Sequence, residues 1–217
     1  MSARKIFEDE LSALKNELVE MCRLTETMID RAITALVHLD RELGKSIGET
    51  DKRVDEYEME IEKRCMRILI RQQPVAKDFR EVSTALKMIT DIERFGDQAS
   101  DIGDLVYHMP GDKYIKPLNH LRAMGALALK MVRDSVNSFV QSDASMADEV
   151  IHTDDEMDDL FETVKNELIL LIKKNAENGD QAIVLMMVAK YLERIGDHAV
   201  NVAEWTKYNE TGVHVKY

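Results

Sequence analysis

The chain has 217 residues and a formal net charge of −12 at pH 7, with a pI near 5.0. This composition disfavours nucleic acid as a partner, because phosphate backbones are bound by clustered Lys and Arg, and it favours cations or basic protein surfaces. The longest apolar run is far shorter than the ~20 residues that span a bilayer and no signal peptide is evident, so we expect a cytoplasmic protein that does not span the membrane.

Helical periodicity dominates the first half of the chain. Apolar residues from Leu11 to Leu39 recur at alternating intervals of three and four, which predicts a long helix packed against near-parallel partners. Cys22 and Cys65 lie among apolar neighbours and form no Cys-x-x-Cys pair, which predicts two buried thiols. With Pro74 in the last turn of this half, we expect its helices at roughly residues 6–40, 49–73 and 79–108.

A second set of helices follows a connection, residues 109–117, that contains two prolines and a glycine. Such residues end one helix and begin the next, so we place a boundary there, between residues 1–110 and residues 111–217. In the second unit Asn178-Gly179-Asp180 predicts a left-handed turn, and the helices are expected at roughly 117–142, 151–175 and 180–208. The predicted fold is all-α, a tandem repeat of two up-down-up three-helix bundles similar to spectrin repeats.

One five-residue motif occurs twice, 100 residues apart. It reads Glu93-Arg94-Phe95-Gly96-Asp97 in the first half and Glu193-Arg194-Ile195-Gly196-Asp197 in the second. Upstream of each copy lies an Asp-x3-Asp pair, Asp51 with Asp55 and Asp154 with Asp158. Side chains at this i, i+4 spacing share one face of a helix, so each half presents two pairs of carboxylates.

The two acidic rows of each half are expected to meet. Counted from their shared turn at ~1.5 Å per residue, Asp55 and Asp97 are level to within a few Å on antiparallel helices, and so are Asp158 and Asp197. Like charges held together in this way repel, and their recurrence in both halves favours a cation site. Oxygen ligands alone suit Mg²⁺, Mn²⁺, Ca²⁺ or Fe³⁺.

A plainer interpretation is a solvated acidic face, with Arg94 and Arg194 as local counter-ions. His198 follows the second motif but projects ~100° away from Asp197 on a helix, so we expect an incidental surface histidine. The small residues of the last helix in the first half, Gly96 and Gly103 among them, predict close packing of a neighbouring backbone.

Taken together, these residues resemble the PhoU family of bacterial phosphate-transport regulators over essentially the whole chain. The resemblance rests on the duplicated motif, on the Asp-x3-Asp pairs and on the Arg71-Gln72-Gln73-Pro74 turn before Asp78-Phe79-Arg80. It implies a cytoplasmic protein, often a homodimer, that binds multinuclear metal clusters and restrains the phosphate-starvation response. Its implied partners are the ATPase of the phosphate ABC transporter and the phosphate sensor histidine kinase.

The resemblance also implies a set of metal ligands. They are Asp51, Asp55, Glu93, Asp97 and Asp101 in the first half, and Asp154, Asp158, Glu193 and Asp197 in the second. The halves are not equivalent, because Asn201 stands where the first half has Asp101, and Phe161 where it has Glu58. Since more ionised oxygens hold hard cations more tightly, we expect the first half to bind metal more strongly.

Two other classes of function stay open. A carboxylate-bridged metal enzyme needs an open metal position and a base or substrate pocket, and the sequence shows no nucleophile and no phosphate-cradling glycine loop. We therefore expect no catalytic residue and no enzyme. A helical adaptor could instead bind basic partner surfaces through its acidic faces without metal.

Overall fold

The computed structural model describes residues 3–213, and over that range it contains helices and their connections without a strand. The helices are α1 Ala3–His38, α2 Arg41–Ser46, α3 Gly48–Gln72, α4 Ala76–Tyr107, α5 Asn119–Gln141, α6 Ala144–Lys174 and α7 Gly179–Thr211. A short 3-10 turn, Ala176–Asn178, precedes α7. The all-α prediction is confirmed, and the extreme ends of the two expected units, residues 1–2 and 214–217, lie outside the described residues.

Each half is a bundle of three long helices, α1, α3 and α4 in the first and α5, α6 and α7 in the second. The alternating apolar residues of α1 face inward as predicted, and Leu14, Leu18 and Met28 are fully buried. Cys22 and Cys65 are buried free thiols, also as predicted. None of the helices within residues 3–213 combines the length and apolar content needed to cross a bilayer.

The two halves pack against each other through α1 with α5 and through α4 with α7. Where α4 meets α7 the helices run antiparallel, because Arg80 Nε donates to the carbonyl oxygen of Asn209 (3.4 Å) while Asn201 Nδ2 donates to Asp91 Oδ1 (3.1 Å). The buried side chains of both halves form one continuous hydrophobic core. The duplicated units therefore share an interior.

Capping side chains extend the helices beyond their predicted limits in two places. The connection around Gly44, expected to be a loop, contains α2, because Asp40 Oδ1 accepts a hydrogen bond from the amide of Leu43 (2.9 Å). Helix α6 begins at Ala144, well before the predicted start near residue 151. Here Asp143 Oδ1 accepts from the amides of the second and third residues of the helix, at 3.0 and 3.1 Å.

The turn between α6 and α7 is not the left-handed turn that the sequence predicted. Gly179 has a right-handed φ of −56°, and the chain reverses at Asn175, which is extended and accepts from the amide of Glu177 (3.1 Å). In the turn of the first half two residues have a left-handed φ, Gln73 (45°) directly before Pro74 and Ala76 (48°) at the start of α4. Proline thus marks this turn as predicted, whereas an Asn-Gly pair is compatible with more than one geometry.

Helix α2 lies against α4 at the distance of a backbone contact. A Cβ atom on Gly103 would lie 2.5 Å from the carbonyl oxygen of Gly44, and one on Gly44 would lie 2.6 Å from the carbonyl oxygen of Gly103. Real Cβ atoms do not approach backbone oxygens this closely. The predicted role of Gly103 in close packing is therefore confirmed.

Candidate metal-binding site

The carboxylates of the first half come together where α3 packs on α4. We define the first acidic face as Asp51, Asp55 and Glu58 of α3 with Glu93 and Asp97 of α4. The charges of Asp97 and Asp55 act on Asp51, and those of Asp97, Glu58 and Asp55 act on Glu93. Antiparallel packing of the two helices thus assembles acids that are distant in sequence.

The pairing of α3 with α4 lies within about two residues of the register counted from their shared turn. Asp51 Oδ1 lies 3.1 Å from the position of a Cβ on Gly96, and Thr90 Oγ1 donates a weak hydrogen bond to Glu58 Oε1 (3.4 Å). These contacts place Asp51, rather than Asp55, at the level of Asp97. The acids still meet, because each row extends over more than one turn.

Helices α6 and α7 build the same arrangement in the second half. We define the second acidic face as Asp154 and Asp158 of α6 with Glu193 and Asp197 of α7. The charges of Asp197, Asp158 and Glu193 act on Asp154, in that order of strength. The sequence duplication therefore produces two acidic faces of similar composition.

Each acidic face contains one carboxylate oxygen that is buried and has no hydrogen-bond partner. These atoms are Asp51 Oδ1 in the first face and Asp154 Oδ1 in the second. Each lies against a glycine of the duplicated motif, 3.1 Å from a Cβ placed on Gly96 and 3.3 Å from one placed on Gly196. The motif glycines leave room for these carboxylates, a role that the sequence did not reveal.

Burial raises the pKa of the central carboxyl groups, and neighbouring negative charges raise it further. The pKa of Asp51 rises to about 6, chiefly through burial and then through Asp97. By the same two causes the pKa of Glu93 rises to about 7 and that of Asp154 to about 6, the latter through burial and Asp197. In both faces burial and the crowding of carboxylates therefore oppose ionisation of the central groups.

The donor set of both faces suits a hard cation. Carboxylate oxygens are the ligands that Mg²⁺, Ca²⁺, Mn²⁺ and Fe³⁺ prefer, and a cation would supply the missing partner of each buried oxygen. As the side chains stand within residues 3–213, no three Asp, Glu, His or Cys groups converge closely enough to hold one ion. Binding would thus require the carboxylates to rotate toward a common point.

The two faces differ in their counter-ions. In the first face Arg94 Nη1 donates to Asp97 Oδ2 (2.7 Å), as the sequence predicted. In the second face the corresponding ion pair is made by Lys190, whose Nζ lies 2.8 and 2.6 Å from the two carboxylate oxygens of Glu193. The i, i+3 spacing of Lys190 and Glu193 signals this pair, and our interpretation of the sequence missed it.

His198 is not an incidental surface residue. Its Nδ1 lies 2.9 Å from Asp91 Oδ1 in the other half, and Asn201 donates to the same oxygen. Asp101, which is equivalent to Asn201, likewise faces the other half, where it interacts with Tyr191. Asp101 therefore lies at the edge of the first acidic face, between that face and the junction of the halves.

We expect the stability of the metal-free protein to fall as the pH rises. Asp51, Glu93 and Asp154 titrate near pH 4 in an unfolded chain, and their pKa values are higher in the fold. The folded protein therefore binds protons more tightly, so this stabilisation is complete below about pH 4 and is lost as the pH passes about 6–7. Each group contributes on the order of 1 kcal/mol after allowance for solvent screening.

Thermal unfolding in a chelator between about pH 5 and pH 8 measures this effect. The Asp51→Asn variant should show a flatter pH profile than the parent, because it removes one of the titrating groups. Parallel profiles for parent and variant would contradict the assignment.

Comparison with known proteins places these features in one family. The family model described as "PhoU domain" matches the chain twice, over residues 18–106 and 121–206. A relative from Clostridium acetobutylicum, a "phosphate-specific transport system accessory protein PhoU homolog", is 36% identical and aligns over 98% of this chain and 97% of its own length. A homologue of the same description from Zymomonas mobilis is 35% identical, over 96% and 88% of the two chains.

Solved structures show the same fold. The crystal structure of PhoU from Pseudomonas aeruginosa superimposes with a TM-score of 0.91 at 30% identity, covering 95% of this chain and all of the other. The phosphate transport system regulatory protein PhoU from Streptococcus pneumoniae gives a TM-score of 0.91 at 27% identity, over 97% of this chain and all of that one. The similarity extends over both halves.

Proposed function

Because the chain belongs to the PhoU family, we propose that it is an accessory and regulatory protein of phosphate transport that binds metal ions on its two acidic faces. In this role it acts in the cytoplasm as a homodimer and restrains the phosphate-starvation response. Its partners are the ATPase of the phosphate ABC transporter and the phosphate sensor histidine kinase. It is a binding protein and not an enzyme.

The proposed metal binding is supported by two buried oxygens without hydrogen-bond partners, Asp51 Oδ1 and Asp154 Oδ1, which lie at equivalent positions in the two halves. A buried polar atom without a partner destabilises a fold by about 1–3 kcal/mol, so its occurrence in both halves indicates a function. Carboxylate oxygens of this kind are preferred ligands of hard cations. The relatives and the solved structures support the regulatory part through their descriptions.

In this proposal each acidic face serves as a multidentate ligand. Asp51, Asp55, Glu93 and Asp97, with Asp101 at the edge, hold the metal in the first half. Asp154, Asp158, Glu193 and Asp197 hold it in the second. A bound cation supplies the positive charge that the faces lack, and the ion is Fe, Mn, Mg or Ca. The ligands of each half come from two helices, so metal binding stabilises the packing of α3 on α4 and of α6 on α7.

Elemental analysis of the protein as purified, without added metal, tests the metal-binding part. We expect stoichiometric Fe, Mn, Mg or Ca that survives dialysis. Protein that is free of metal and takes up none on titration would favour the plain helical adaptor. Metal-dependent turnover of generic phosphoesters would favour the carboxylate-bridged enzyme.

Deletion of the gene tests the regulatory part. We expect phosphate-responsive genes to be expressed in the deletion strain even when phosphate is plentiful, and the parent gene to restore repression. A gene carrying both Asp51→Asn and Asp154→Asn should not restore it. Normal repression in the deletion strain, in an organism with no second gene of this family, would reject the proposal.

A further inference from the structure

Besides the exchange of Asp101 for Asn201, two positions distinguish the second acidic face from the first. The first half has Glu58 on α3 opposite Thr90 on α4, and the Thr90 hydroxyl donates a weak hydrogen bond to Glu58 (3.4 Å). The second half has Phe161 on α6 opposite Lys190 on α7, with the Lys190 ammonium 5.6 Å from the centroid of the Phe161 ring. A carboxylate and a neutral hydroxyl are thus replaced by a neutral ring and a cation.

The Lys190 ammonium lies where it neutralises the second face. It contacts both oxygens of Glu193, at 2.8 and 2.6 Å, and the Glu193 side chain is only 14% exposed. Its charge also acts on Asp158 and Asp197. Lys190 therefore interacts with three of the four carboxylates of this face, and Phe161 supports it from α6 through a cation–π contact.

The first face has no equivalent arrangement. Arg94, its nearest cation, directs its short contact to Asp97 (2.7 Å) and lies 3.5 Å from Glu93, to which it makes one contact. Position 90, which corresponds to Lys190, holds a threonine. The first face also keeps the additional carboxylate of Glu58, so the two faces differ by two units of charge at these positions.

We propose that Lys190 is an internal counter-ion of the second acidic face that competes with metal for Glu193. This inference rests on the metal binding proposed above. A cation that binds Glu193 must first displace the Lys190 ammonium, which makes charge-assisted contacts with both carboxylate oxygens. Glu93 can bind a metal after losing only one longer contact, that with Arg94. The first face therefore binds metal at a lower concentration than the second, and Lys190 is responsible for this difference in affinity.

Titration of the metal-free protein with Mn²⁺, followed by calorimetry, tests the competition. The parent should show a tight and a weak class of site. Lys190→Thr, which copies the first half, should strengthen the weak class by roughly tenfold, the equivalent of one charge-assisted hydrogen bond. The reciprocal Thr90→Lys should weaken the tight class. Lys165→Thr is the matched control, because Lys165 pairs with Glu162 outside the face and its loss changes the net charge equally.

A second measurement needs no metal. In a chelator, Lys190→Thr should lower the melting temperature, since it leaves the nearly buried Glu193 without its partner, while Lys165→Thr should leave it almost unchanged. If the parent binds Mn²⁺ and Lys190→Thr leaves the weak class unchanged, or Lys165→Thr strengthens it equally, the inference is overturned and metal binding stands. If the parent binds no metal in any elemental or calorimetric assay, the proposed metal function fails.

Discussion

Replacing Gly103 by alanine should destabilise the protein by about 2–3 kcal/mol and lower its melting temperature by roughly 5–10 °C. The new Cβ would lie 2.5 Å from the carbonyl oxygen of Gly44 and 3.0 Å from Ile47 Cδ1. Because the closest atom belongs to the backbone, a change of rotamer cannot relieve the overlap, and α2 must move away from α4. Alanine is favoured over glycine in a helix by about 1 kcal/mol, so the energetic cost of the steric overlap must exceed that gain.

Gly179→Ala is the matched control. Gly179 begins α7 with a φ of −56°, and a Cβ at this position would meet no atom within 4 Å. This variant should be neutral or more stable by about 0.5–1 kcal/mol. Thermal unfolding of both variants, followed by circular dichroism, gives the comparison. Equal stability of Gly103→Ala and the parent would show that α2 is not held at this distance in solution.

The second large effect is expected at Asp51. Asp51→Asn should weaken metal binding to the first half by about 100-fold, because it removes a charged oxygen of the first acidic face that is buried and unpartnered. The metal-free variant should keep its helical content and be as stable as the parent or more stable, since the substitution removes one of several mutually repelling carboxylates. Titration with Mn²⁺ and circular dichroism measure the two properties.

Glu60→Gln provides the comparison for Asp51→Asn. Glu60 is exposed on the same helix and is not part of the first acidic face. Its substitution changes the net charge by the same amount as Asp51→Asn. It should bind metal as the parent does. A similar loss of affinity in both variants would indicate a general electrostatic effect rather than ligation by Asp51.

The parts of the fold that depend on local pattern could be predicted from the sequence. The alternating apolar residues of α1 predicted its buried side, and Pro74 located the turn before α4. The duplicated motif predicted both acidic faces. Helix α2 and the early start of α6 each depend on one capping aspartate, Asp40 and Asp143. A single capping residue is a weaker signal in a sequence than a repeated apolar pattern.

Other features depend on packing between distant segments. The contact of His198 with Asp91 requires α7 to lie antiparallel to α4 in a definite register, and no periodicity within either helix encodes that register. The space that Gly96 leaves for Asp51 depends in the same way on how α3 lies on α4. The identity of the acids could thus be predicted, whereas the details of their packing and their partners in the other half could not.

The continuous core has a consequence for how the chain folds and how it can be divided. A polypeptide built from two copies of one unit could in principle be separated at residues 109–117 into autonomous pieces. Here, however, α1 and α4 bury part of their apolar surface only against α5 and α7. Each isolated half would expose that surface to water and would tend to associate with its complement or to aggregate. Denaturation of the intact chain should accordingly follow a single cooperative transition, with the whole chain and not the single repeat as the unit of folding.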